Sequence, residues 1–327
     1  MALRYNRRGY PTGILGVFLK PKVSVNVIVY QYGKVASTSL VATFNKMRGV
    51  QAYKCHFFGS KQFQSTVTRL CDPDINDYFF DHSLGQLNEN LKAHRVYHRK
   101  GSPEGERRIV LTIAREPFAW FRSSLLQEIN GHMPALRLSL GDRVAEAMTE
   151  SEIVTQGLAL LMQRLNLTLD AVDGNVDALD TAKRRELEHN IAFNSAEDFK
   201  GFLFLLSKFL RPHWWFRTQF APEFGVNVAD MVDEGQGLRS QRTERGSVYL
   251  ALFEQLESAF AKLLELENLP PKRLKRFNEG HKKLLSEEVS AAFQTEAALA
   301  LKVRMRSEIT ETLGYSQLPT KGPGSSG

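Results

Sequence analysis

Residues 25–48 read VNVIVYQYGKVASTSLVATFNKMR. Val25 to Tyr30 is a short apolar run rich in β-branched residues, which predicts a buried strand. Gln31-Tyr32-Gly33 follows as a turn. Leu40, Val41, Phe44 and Met47 then recur at helical spacing, and Gly49 stands where a helix would stop. Between strand and helix lie Lys34 and the residues Val35, Ala36, Ser37, Thr38 and Ser39. A strand, a tight loop with a lysine and a helix N-terminus together make a phosphate holder. The first-turn N–H groups are unpaired and carry partial positive charge. The lysine adds a full charge, and the hydroxyls add donors. This is not a Walker A loop, which needs G-x-x-x-x-G-K-[ST]; here Lys34 is followed by Val35. Alone, the stretch fits a strand–turn–helix unit that binds nothing about as well.

A second stretch shifts the balance. Residues 108–126 read RIVLTIAREPFAWFRSSLL. Ile109 to Ala114 is another apolar run of strand length, Arg115 and Glu116 stand at its end, and Pro117 suits the first position of a helix. Phe118, Phe121, Leu125 and Ile129 continue at helical spacing. In open α/β sheets ligands bind at the C-terminal edge of the strands. Two such units, one with Lys34 and one with Arg115, suit a ligand with two phosphates.

The pair resembles the two nucleotide-binding motifs of sulfotransferases that use PAPS (3′-phosphoadenosine 5′-phosphosulfate). In that family the 5′ motif is a lysine, two small residues and a hydroxyl pair, here Lys34-Val35-Ala36-Ser37-Thr38. The 3′ motif is an arginine at a strand end with a serine eight residues on, here Arg115-Glu116-Pro117 through Ser123, with Glu116 where aspartate is commoner. The wording YQYGKVASTSL is closest to a bacterial sulfotransferase-like branch associated with capsular-polysaccharide synthesis, echoed weakly in residues 213–228 and 277–293. The expected fold is α/β: a P-loop-like three-layer sandwich around a mostly parallel sheet, with a helical insertion and C-terminal helices. Residues 1–315 would form one domain, 150–212 its helical insertion or cap, and 316–327 a disordered tail.

The resemblance also implies roles. Gly33, Lys34, Ala36, Ser37, Thr38 and Ser39 would hold the 5′-phosphate, and Arg115 and Ser123 the 3′-phosphate. Carbohydrate sulfotransferases often place a histidine or glutamate general base after the second strand. Residues 50–58, VQAYKCHFF, put His56 there, and an imidazole suits that work at neutral pH. A histidine packed beside Phe57 and Phe58 is the plain alternative. Glu128 and His132, near the end of the second motif's helix, could also reach the acceptor, with a solvated or structural role as the plain alternative; Glu128 is the second candidate base. The catalytic set is thus Lys34, His56 and Glu128, the co-substrate PAPS, and the acceptor a hydroxyl, by resemblance that of a carbohydrate or polysaccharide. The scheme needs no metal. In cytosolic members an R-K-G-x-x-G segment closes over the nucleotide; residues 277–283, FNEGHKK, do not match it.

Composition narrows the classes. The 327 residues are 43% hydrophobic and 24% charged, enough for a sizeable core, and the net charge of +7 suits an anionic ligand. No basic run with interleaved aromatics points to nucleic acid. Two cysteines, Cys55 and Cys71, are too few for a disulfide framework or a cysteine zinc site. No apolar run is long enough to span a membrane, and Ile14 to Leu19 is broken by Gly16 and lacks a cleavage site. The expected location is cytoplasmic; the oligomeric state is not legible.

Elsewhere, His94 and His98 read as surface residues, and Ile153–Leu169 as a helix. Ser195 would cap a mostly apolar helix running to Leu210, with Asp198 completing a capping box. His213-Trp214-Trp215-Phe216 reads as core rather than a sugar platform. Residues 233–246 read as a polar loop, Ser247 to Phe253 as a strand, and 284–313 as one terminal helix. Two other classes stay open: a non-catalytic nucleotide- or glycan-binding protein of capsule assembly, and a P-loop kinase.

Overall fold

The computed structural model describes residues 23–33, 35–100, 105–274 and 285–315. Lys34, the 277–283 segment and the 316–327 tail therefore lie outside the described residues.

Val25–Tyr30 forms β1, with all six residues buried. Burial on both faces is the mark of a central parallel strand and explains the unbroken apolar run. Ser37–Phe44 follows as α1, Val50–Cys55 as β2, Ser60–Leu70 as α2 and Asp77–His98 as α3. Arg107–Ala114 is β3 and Pro117–Leu140 is α4. A helical region then runs through α5 (Asp142–Glu146), α6 (Glu150–Asp170), α7 (Thr181–Asn190), α8 (Ala196–Trp215) and α9 (Ala221–Phe224). A π-helical turn at Phe216–Phe220 joins α8 to α9. The chain returns to the sheet as β4 (Val232–Gly235), β5 (Leu238–Thr243) and β6 (Gly246–Leu252), followed by α10 (Leu256–Leu266). The described chain ends in α11 (Ser286–Ala292), α12 (Glu296–Arg304) and α13 (Glu308–Thr312).

The sheet order is β2-β1-β3-β6-β5-β4. β2, β1, β3 and β6 are mutually parallel; β5 and β4 run antiparallel at one edge. The fold is thus α/β with a six-stranded, mixed but mostly parallel sheet. Helices cover both faces. On one, Phe44 of α1 meets Phe260 of α10 edge-on at 5.2 Å. On the other, Tyr30 meets Phe58, Trp215 and Phe224, and Phe224 meets Tyr97 of α3. Trp215, Phe216 and His213 are buried, which places that aromatic cluster in the core.

Three local readings change. Residues 233–246 are the β4–β5 hairpin and the start of β6, not a loop. β4 is the edge strand and mostly exposed, and β5 beside it keeps only Leu238 fully buried, so polar side chains are tolerated in both. The terminal stretch is three helices, because Thr295 and Ser307 cap new ones at α12 and α13. Ser195 does cap α8, accepting from the Asp198 N–H, but the Asp198 carboxylate turns inward. There it takes two 2.7 Å hydrogen bonds from buried Arg164 and one from Asn194 N–H, locking α6 to α8.

Candidate functional site

At the C-terminal ends of β1 and β2 a cavity of about 590 Å³ opens between the loop after β1, α1, α3, α4 and α8. This is the edge where parallel sheets place ligands.

The loop is built tightly. Gly33 takes φ +100°, and Ala36 sits in the left-handed region at φ +59°, a strained state for a residue with a Cβ. Trp120 of α4 donates its indole N–H to Gly33 O at 2.7 Å. Gly33 N–H donates to Gln31 Oε1 at 2.7 Å. Tyr32 is buried against Trp120, Trp215 and Phe216, and its hydroxyl accepts the Arg115 N–H at 3.1 Å. No side chain caps α1 at Ala36, so its first turn faces the cavity with amides rather than a carboxylate. Ser37 and Ser39 are buried there, and exposed Thr38 accepts a hydrogen bond from Lys54 Nζ of β2 at 3.3 Å.

His56 stands just past β2. Its N–H donates to Oδ1 of fully buried Asn90 on α3 at 2.7 Å, which fixes the turn. Gln31 Nε2 lies 2.9 Å from its Nδ1 and 3.2 Å from its Nε2. Because Gly33 N–H occupies the amide oxygen of Gln31, the amide NH₂ is the group turned to the imidazole. An amide NH₂ can only donate, so the contact it offers the ring is to a nitrogen lone pair.

Glu128 sits where α4 leaves helical geometry (φ −122°, ψ 21°), six residues before Pro134. Trp120, Ser124, Gln127 and Glu128, spaced at one helical face, line the cavity. The Glu128 carboxylate takes a 3.0 Å ion pair from Lys208 of α8 and lies 3.9 Å from His132.

The cavity therefore gathers Gly33, Ala36, Ser37, Thr38, Ser39, His56 and Glu128. It does not include Arg115 or Ser123 in its lining. Ser123 is half-exposed and stands a helical step away from the Ser124 face. Arg115, half-buried at the end of β3, lays its guanidinium 4.5 Å over the Phe253 ring. Burial draws its pKa down, and Glu254 partly offsets this. Glu116 caps α4, accepting from Phe118 and Ala119 N–H, while its own N–H donates to Glu254 Oε1 at 3.0 Å.

Sequence reading missed Gln31, Lys54, Asn90, Lys208 and Arg211. The signal for the last two was a pair of cations set into the mostly apolar stretch 202–215. His94 and His98, read as surface residues, are half-buried, with tilted rings whose centroids lie 4.2 Å apart. Burial, then His94 and Arg245, pull the His98 pKa down to about 4. Among the described residues no cluster of three histidine, cysteine or carboxylate side chains is placed to hold a metal, and no helix is long and apolar enough to cross a membrane. No protein-family model, curated protein or solved structure matches the chain.

Proposed function

We propose that the chain is a sulfotransferase that moves a sulfuryl group from PAPS to an acceptor hydroxyl of a carbohydrate, on a P-loop-like three-layer fold. The observation that carries the reading is the cavity itself. An uncapped helix start with Ser37 and Thr38, His56 and Glu128 share one chamber at the C-terminal edge of parallel strands. The α1 amides, Ser37 and Thr38 hold the 5′-phosphate. His56, or Glu128, takes the acceptor proton as the acceptor oxygen attacks sulfur. The bond from sulfur to the 5′-phosphate oxygen breaks, and the charge left on that oxygen is met by the α1 amides and Lys34. Adenosine 3′,5′-bisphosphate leaves, with Arg115 and Ser123 assigned to its 3′-phosphate by resemblance.

The test is a calorimetric titration with adenosine 3′,5′-bisphosphate, ATP with magnesium and adenosine 5′-monophosphate, on wild type and Arg115→Ala. We expect the bisphosphate to bind preferentially and to weaken about tenfold or more in the variant, since hydrogen bonds to charged groups contribute about 1.5–3 kcal/mol. A preference for magnesium ATP, or no bisphosphate binding, overturns the assignment. The seating of Arg115 on Phe253 favours one other reading, a non-catalytic nucleotide- or glycan-binding module. Lys34→Ala separates the two: an enzyme loses turnover by orders of magnitude, whereas a module keeps its glycan.

A further inference from the structure

Among the described residues the cavity has two cationic poles. At one, Lys54 of β2 donates to Thr38 at the start of α1. The other pole is on α8, where Lys208 and Arg211 stand three residues apart and so share a helical face. The intervening and flanking positions Leu205, Leu206, Phe209 and Leu210 are buried apolar residues. The cations are thus confined to the strip that faces the chamber. The Lys208 side chain is only 17% exposed, a costly place for an ammonium unless something anionic meets it. Glu128 meets it in part. Among the described residues no carboxylate comes within ion-pair distance of Arg211, which is exposed at the mouth. Two permanent charges therefore face one carboxylate, and the surplus is directed at the ligand space.

Position decides what that surplus is for. Lys208 touches Glu128, one of the two groups able to take the acceptor proton, so an anion seated on α8 lies beside the acceptor rather than the helix that would hold the nucleotide. We propose that Lys208 and Arg211 form an anion subsite for the acceptor, which is therefore a negatively charged saccharide, carrying a carboxylate or an ester sulfate close to the hydroxyl that reacts. This rests on the sulfotransferase reading in naming the bound saccharide an acceptor and in giving Glu128 and α1 their roles. Glu128 holds Lys208, and a ligand anion seated on α8 competes with that carboxylate for the ammonium. Arg211, with a planar fork of donors, supplies the bidentate contact.

The experiment is isothermal calorimetry with an oligomannuronate hexamer and its carboxyl-reduced counterpart, with and without adenosine 3′,5′-bisphosphate, on wild type and Arg211→Gln. We expect the acidic hexamer to bind wild type about tenfold or more tightly than the reduced one. Arg211→Gln abolishes that preference and lowers the salt dependence, while bisphosphate affinity stays within about twofold. Equal binding of the two hexamers, no binding of either, or unchanged affinity in Arg211→Gln overturns the proposal. So does a loss confined to the bisphosphate, which would hand the α8 cations to the nucleotide. Failure of the bisphosphate to bind wild type is read separately, since it sinks the sulfotransferase assignment and leaves the hexamer result standing.

Discussion

Gln31 shows how a single amide can prepare a base. One end accepts from the strained loop at Gly33 and the other faces the His56 imidazole. Gln31→Glu keeps the acceptor for Gly33 N–H but replaces the NH₂ donor with a negative charge, which favours imidazolium. The His56 titration midpoint should move to higher pH. An NMR titration of the imidazole checks this without an acceptor, and an unmoved midpoint would remove Gln31 from its proposed role. The acid limb of the rate profile should move to higher pH with it, since a base works only when deprotonated. His213 behaves in the opposite sense. It is buried against Ser307 Oγ at 2.7 Å, and burial pulls its pKa down to about 3. The unfolded chain, with an ordinary histidine near 6.5, binds the proton first. Stability from neutral His213 is therefore whole above pH 6.5 and is lost between there and about 3, at about 1.4 kcal/mol per pH unit. Urea unfolding of wild type and His213→Gln from pH 6.5 to 4 should show that slope in wild type and a shallower one in the variant. At this scale local pattern put His56 after a strand and Ser37 at a helix start, and the structure brings both to the cavity. Gln31 and Asn90 act through hydrogen bonds across 25 and 34 positions, which no local pattern records.

Elements with unmixed patterns were legible: β1, α1, β3, the start of α4 and β6 lie where apolar runs and helical spacing put them. The β4–β5 hairpin was not, because its polar composition matches a loop until a partner strand is known. Its link to the sheet turns on Gly246, at φ +145°, where a Cβ would lie 2.2 Å from the Arg108 carbonyl oxygen. Gly246→Ala must shift the backbone between β6 and β3 as well as adopt a disfavoured φ. We expect a loss above the roughly 1–3 kcal/mol of backbone strain alone, read from denaturant midpoints. A loss under about 0.5 kcal/mol would mean that β6 enters the sheet with more freedom than this geometry allows. The cavity face of α4 is another element-level fact. The helical period was clear, but which face met the chamber was not. Ser124 rather than Ser123 turns inward because Trp120 is already committed to Gly33.

For the whole molecule, alternation of strands and helices foretold an α/β sheet with a mostly parallel core. The sequence did not disclose the order of strands, nor that α8, remote in sequence from both motifs, would wall the chamber with cations. The order has a further consequence, for synthesis rather than for chemistry. β2, β1 and β3 are complete once Ala114 is made, but the other neighbour of β3 begins at Gly246, 132 positions later. At about 5–20 residues per second, the apolar edge of β3 waits roughly 7–26 seconds for its partner. During that interval Ile109 to Ala114 is an open template for another chain. The helical region made in the meantime must shield it, or a chaperone must, so the yield of soluble protein should respond to translation speed more than the finished fold's stability would suggest.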